Sequence, residues 1–151
     1  ETRHRARLER DTSLAKESGL GLTVTVDDSA GIARAITTDV LTVGITMPSA
    51  LQDVSAVGSS AMERLYLLQD LQMTFGGVFD DAANLAHAVF KDYRTIAGSE
   101  LGRTTVVVHS GQTLSQDALK YNDYALTRNA DGSFSWTTTG FLASGTVPAW
   151  T

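Results

Sequence analysis

The chain has 151 residues, 42% hydrophobic and 19% charged, with a formal net charge of −5 and no cysteine. A chain this long buries about 68–70% of its unfolded surface as one domain. The lack of cysteine excludes disulfides, thiolate metal sites and cysteine nucleophiles. Two prolines are too few for a disordered linker, and no apolar run approaches the ~20 residues of a membrane-spanning helix.

Charge is unevenly placed. Residues 1–16 carry five bases (Arg3, Arg5, Arg7, Arg10, Lys16) against three acids, whereas the other 135 residues carry seven bases and fourteen acids. Residues 1–13 therefore read as a basic arm on an acidic body, and they do not have the charged, apolar and small-residue pattern of a secretory leader. A second copy of the same chain is a candidate partner for such an arm.

The body, residues 14–151, reads mainly as strands. Leu22, Val24 and Val26 alternate with Thr23 and Thr25, the period of a half-buried strand. Asp27-Asp28-Ser29-Ala30-Gly31 has turn chemistry, and Ile32, Arg34 and Ile36 lie on one side of a returning strand. Val40 to Thr46 is a further β-branched stretch. Met47–Ser59 reads as a long loop, and a loop of that length in a compact domain either carries function or hides an element that the pattern fails to assign. Ser60-Ala61-Met62-Glu63 matches a capping box and predicts a short helical turn. Leu65, Leu67, Leu71, Met73, Phe75 and Phe79 share odd positions, with Asp70, Gln72 and Thr74 on the even ones. That alternation predicts one long amphipathic strand over 65–79, although Tyr66 and Leu68 leave a helix open as far as about 69.

Asp80 or Asp81 then caps a helix over about 82–94, with Ala82, Leu85, Ala86, Val89 and Tyr93 as its apolar stripe. Thr104 to His109 is β-branched, and Leu114, Leu119, Tyr124 and Leu126 fall in an extended region. Asn129-Ala130-Asp131-Gly132 is a hairpin signal, with Phe134 and Trp136 on the return strand. The chain closes in an extended segment around Pro148, where Trp150 can anchor the end in a core or on a neighbour.

The chemistry-bearing residues do not converge. His109 and Ser110 are neighbours on a strand, so they point to opposite faces and make a poor catalytic pair. Asp27-Asp28 and Asp80-Asp81 suit turns and helix starts better than paired acid–base work. Gly19-Leu20-Gly21 lacks the third glycine of a dinucleotide fingerprint. No metal-ligand spacing occurs. The expectation is a non-enzyme without cofactors. A monomeric β-sandwich binding carbohydrate through Trp136, Trp150 and Tyr121 is an alternative, and a hydrolase using His109 ranks below it.

Several blocks, taken in order along residues 14–151, resemble the major tail tube proteins of long-tailed (siphovirus-type) bacteriophages of actinobacteria. They are Gly21 to Gly31, Thr37-Thr38-Asp39-Val40, Met47-Pro48 through Val57-Gly58, and Ser60 to Leu65. Gly77 to Asn84 follows with His87 to Lys91, then Gly111 to Leu114, Asp123 to Arg128, and Gly145 to Thr151. The resemblance implies a β-sandwich or partial barrel with one flanking helix. It also implies closure into a continuous barrel on hexamerisation, and rings stacked into a conduit for DNA in the virion, assembled in the host bacterial cytoplasm. Tail terminator, tape measure and distal tail proteins are the implied partners, and the tube of a contractile or phage-derived particle is the near alternative.

The residues fit that implication on their own terms. Open strand edges must be covered, and closure into a barrel removes them. A lumen wall must be polar without net positive charge, because a basic wall would hold phosphates, so Asp70, Gln72 and Thr74 are the candidate lumen-facing residues. Ring-to-ring contact falls to the arm (Arg3, Arg5, Arg7, Arg10), to the 47–59 loop with Pro48 and Asp53, and to Trp150.

Overall fold

The computed structural model describes residues 16–151, so residues 1–13 and their four arginines lie outside the described part. Among the described residues there are nine strands and one α-helix. β1 (Thr23–Asp27) and β2 (Ala33–Ala35) form the expected hairpin. Its turn is held by Asp28, whose Oδ1 accepts from Ala30 N and Ile32 N, while Oδ2 takes a 3.0 Å contact from Arg34 Nε. A 3-10 turn at Thr37–Asp39 leads to β3 (Thr42–Thr46).

β4 (Ser49–Asp53) and β5 (Arg64–Gln69) pair with each other as a separate two-stranded sheet. β6 (Gln72–Val78) then returns to the main sheet beside β3. Two sequence expectations change here. The 47–59 loop contains β4, because Ser-Ala-Leu-Gln-Asp has little strand pattern alone and its ladder comes from residues eleven or more positions away. The 65–79 strand is two strands, broken at Asp70-Leu71, where Asp70 Oδ1 accepts from Leu71 N at 2.8 Å and Asp70 N donates to Pro48 O at 2.8 Å. The capping box at 60–63 caps nothing. Ser55 Oγ accepts from Glu63 N at 2.8 Å instead, closing the hairpin tip.

α1 spans only Ala86–Phe90 within the predicted 82–94. Asn84 has φ of 64°, which stops helix from extending upstream. Neither Asp80 nor Asp81 caps it. Leu85 is the N-cap residue, and the carboxylate that meets Ala86 N is the distant Asp39, at 3.2 Å. Of the predicted stripe, Ala86 and Val89 are buried and Tyr93 packs against the core, whereas Ala82 is exposed.

β7 (Arg103–His109), β8 (Gln112–Arg128) and β9 (Phe134–Leu142) complete a seven-stranded antiparallel sheet of order β2-β1-β7-β8-β9-β6-β3. β8 is its pivot. Residues up to Leu119 pair with β7, and residues from Leu119 onward pair with β9, past a bulge at Asn122. The sheet thus turns back on itself. Val24, Val26, Val107 and Leu114 from one half meet Met73, Phe75 and Trp136 from the other in one core, closed at its end by Val89 and Phe90 of α1. The architecture is mainly β, a sandwich or partial barrel with a short flanking helix. Gly77 has no room for a side chain, since a side-chain carbon there would sit 1.9 Å from Asp39 O of the 3-10 turn.

Candidate functional site

Three surfaces stand out. The first is the outer face of the half-sheet β3-β6-β9-β8. Leu71, Met73 and Phe75 point inward and are fully buried, so Gln72 and Thr74 point outward. Register places Gly44 and Thr139 beside Thr74, and Thr46 and Phe141 beside Gln72. Thr42 and Thr137 flank Gly76 in the next row. Lys120 and Asp123 of β8 continue these rows and are the charged members of the wall. Asp70 is exposed but stands at the corner outside the ladder, so it does not share a row with Gln72 and Thr74.

The same half-sheet has two open edges. β3 bonds only to β6, and the part of β8 beyond Leu119 bonds only to β9. The other part of β8 is covered from within, because Thr113 and Thr151 exchange backbone hydrogen bonds and Trp150 bridges to Leu114.

The second surface is the β4–β5 hairpin. Its faces carry Leu51, Tyr66 and Leu68 on one side and Leu65 and Leu67 on the other, and Tyr66 and Leu68 are 77% and 88% exposed. Alternation alone could not foresee this, because Leu65 and Leu67 belong to the same odd series as the buried Leu71 and Met73. Pro48 lies at the hairpin's root. Asp53 ends β4 opposite Arg64, with its carboxylate held low by the Ser55 N–H.

The third surface is a cleft beside the arm's root, lined by Glu17, His109, Ser110, Gln112 and Trp150. His109 Nε2 lies 3.9 Å from Glu17 Oε2, and Ser110 occupies the turn at φ 51°. Among the described residues no hydrogen bond joins His109 to Ser110, and no cluster of three His, Asp or Glu side chains has metal-binding geometry. His87 Nδ1 meets Tyr124 Oη at 3.1 Å as part of the packing under α1.

Interior polar groups serve the fold. Arg103 is buried and donates to the carbonyls of Val89, Asp92 and Thr95, clasping the end of α1 and the turn after it. Burial draws its guanidinium pKa down and raises that of the neighbouring Tyr121 phenol, which is bonded to Thr105 at 2.7 Å. Burial likewise pushes Tyr124 up to about 12. The carbohydrate alternative loses its platform, because Trp136 and Tyr121 are 1% and 4% exposed and form the core with Phe90.

The geometry defines a β-sandwich whose larger outer wall is polar, whose edges are unpaired and whose hairpin is uncovered. No protein-family model matches the sequence, and no curated protein is significantly similar to it. Solved structures share the fold. A chain of the virion of a native gene transfer agent particle superposes with a TM-score of 0.67 at 16% identity, over 90% of this chain and 99% of that one. A chain from the tail of an empty gene transfer agent particle with C6 symmetry gives 0.64 at 17% identity, over 90% and 98%. Among the described residues no helix is long and apolar enough to cross a membrane.

Proposed function

We propose that this chain is the subunit of a phage-type tail tube, forming six-membered rings that stack into a conduit for DNA. The observation that carries the reading is the pair of open edges on one four-stranded half-sheet. Pairing β3 of one copy with the distal part of β8 of the next leaves neither edge of this half-sheet unpaired once a ring closes. Such a contact is heterologous, so its rotation must close or it runs on as a filament. The C6 tail of the gene transfer agent particle, whose chain has this fold, supplies the matching symmetry.

In that ring the threonine-rich wall with Gln72 and Thr74 faces the lumen. It offers hydrogen-bonding groups with little net charge, which lets a polyanion pass without capture. The hairpin with Pro48 and Asp53 contacts other copies, and so does the arm with Arg3, Arg5, Arg7 and Arg10. Trp150 covers the chain's own edge through its backbone, and its partly exposed side chain contacts a neighbouring copy. Tail terminator, tape measure and distal tail proteins are the further partners, and the tail of an assembled virion is the location. A siphovirus of actinobacteria is the source the sequence blocks favour, and a phage-derived particle is the source the structural likeness favours.

The test is electron microscopy and sedimentation of the purified chain across a concentration series. Rings with six-fold averages, growing into tubes, are expected. A species of 16.1 kDa at every concentration, even when seeded with tail tips, overturns the proposal. In the tubes, Thr74→Lys should add salt-sensitive DNA retention, and unchanged retention would remove this wall from the lumen.

A further inference from the structure

The two half-sheets of the sandwich are joined through β8 on one side and stand apart on the other. There β3 is the free edge of one half, β1 belongs to the other, and between them lies a recess of about 270 Å³. Its walls are aliphatic, with Leu22 and Val24 on the β1 side and Val40, Leu41 and Val43 on the β3 side. The hydroxyl side chain there, Thr37, is already engaged, since its Oγ1 accepts from Val24 N at 3.0 Å and lies 3.4 Å from Val24 O. Among the described residues no charged side chain lines the recess, and Leu41 is largely exposed at its rim.

At the opposite edge of the same half-sheet, β8 past its bulge carries Tyr124 and Leu126 on the core face, because they stand opposite the buried Thr138 and Trp136. Tyr124 is engaged within the subunit by His87 and by the rings of Phe90 and Trp136. Leu126 has no place in the core cluster and is 42% exposed at the border. Resting on the tube reading, we propose that Leu126 of one copy fills the β1–β3 recess of the next copy in the same ring, so that each subunit's core is completed by its neighbour. Three observations select that occupant. β8, β9, β6 and β3 are antiparallel at every step, so β8 and β3 run in opposite directions, and a joint between them continues the ladder with both core faces on one side. Tyr124, Thr138, Phe75 and Val43 form one cross-strand row, and Leu126, Trp136 and Gly77 form the next row on that face, at the end where Leu41 leads into β3. The recess and the side chain are both aliphatic and both wet in the free subunit, so joining them removes apolar surface from water on each side.

Within one chain Leu41 and Leu126 are three strand spacings apart, about 14 Å, too far for a disulfide inside a subunit. The chain has no cysteine of its own. A Leu41→Cys/Leu126→Cys double variant, assembled well above the parental threshold and oxidised with copper phenanthroline, therefore reports only contacts between copies. A ladder of covalent oligomers that stops at the hexamer is expected, because the bonds run round one ring. Rings that yield no ladder, or a ladder that runs past six, overturn the proposal. In parallel, Leu126→Ala should raise the concentration at which rings appear by about tenfold, Leu126→Met should keep the parental value, and Leu126→Glu should leave a monomer. Melting of each unassembled variant close to the parent shows that folding is intact. Rings from Leu126→Glu at the parental concentration also overturn the proposal. Failure of the unmodified chain to form rings overturns the tube reading itself, whereas rings that neither cross-link through these positions nor respond to Leu126→Glu overturn only the recess contact.

Discussion

Leu68→Ala separates assembly from folding. Leu68 is 88% exposed, so its side chain contributes little to the stability of the isolated subunit. Complete burial of a leucine side chain is worth about 1.5–3 kcal/mol. Truncation to alanine removes most of that, so each interface that covers Leu68 should weaken by about 2 kcal/mol. At 1.4 kcal/mol per decade this raises the critical concentration for tube growth roughly 30-fold. Phe75→Ala is the contrast, since Phe75 is fully buried in the core and its loss costs about 3–5 kcal/mol of folding stability. Light scattering against concentration gives the critical concentration, and thermal melting of the unassembled subunit gives stability. For a chain of this size about 1 kcal/mol moves the melting point by roughly 2–4 °C, so Leu68→Ala should melt within a few degrees of the parent and Phe75→Ala far below it. The reasoning fails if Leu68→Ala polymerises at the parental concentration or melts as low as Phe75→Ala.

Arg103→Met keeps the buried stem and removes the donors that hold the carbonyls of Val89, Asp92 and Thr95. A loss of about 2–4 kcal/mol in urea unfolding is expected, with protease sensitivity appearing first in the 91–101 segment. Asp27 is raised above the usual carboxyl range by its burial and then by the nearby Glu100 charge. The folded state therefore holds that proton more tightly, so the contribution is fully present below the unfolded value and lost as pH rises through the raised one. Asp27→Asn should be more stable than the parent at pH 7, and the gain should shrink to nothing as pH falls below the ordinary carboxyl range. Denaturant midpoints taken across that span check the sign.

The fold was legible where side-chain pattern and local turn chemistry agree. Val24, Val26 and the Asp28 turn gave the first hairpin, and Asn129 to Gly132 gave the last, where Gly132 takes φ of 92°. Leu71, Met73 and Phe75 marked the core face of β6, and with it the outward aim of Gln72 and Thr74. Where partners are distant, the pattern misled. β4 has no signal of its own, and nothing local in Leu65 or Leu67 distinguishes them from Leu71, because the difference is whether a second half-sheet lies opposite. The helix failed for a similar reason: its cap comes from Asp39, 47 positions away. The apolar hairpin, the most informative surface for assembly, was hidden by the same ambiguity, since exposed leucines read as core in a string of letters. The arm's arginines lie outside the described residues, so their part in assembly rests on charge alone.

β8 sets a timetable for synthesis. Being hydrogen-bonded to β7 in one half and β9 in the other, it leaves the two halves of the sheet unlinked until the final third of the polypeptide has emerged from the ribosome. Before then, only the β1–β2, β4–β5 and β3–β6 ladders can form, and isolated two-stranded pieces are marginal in water. The nascent molecule thus gains the second of its two adhesive borders, the distal part of β8, last, when release is near, and chains still being translated are poor recruits for a growing polymer.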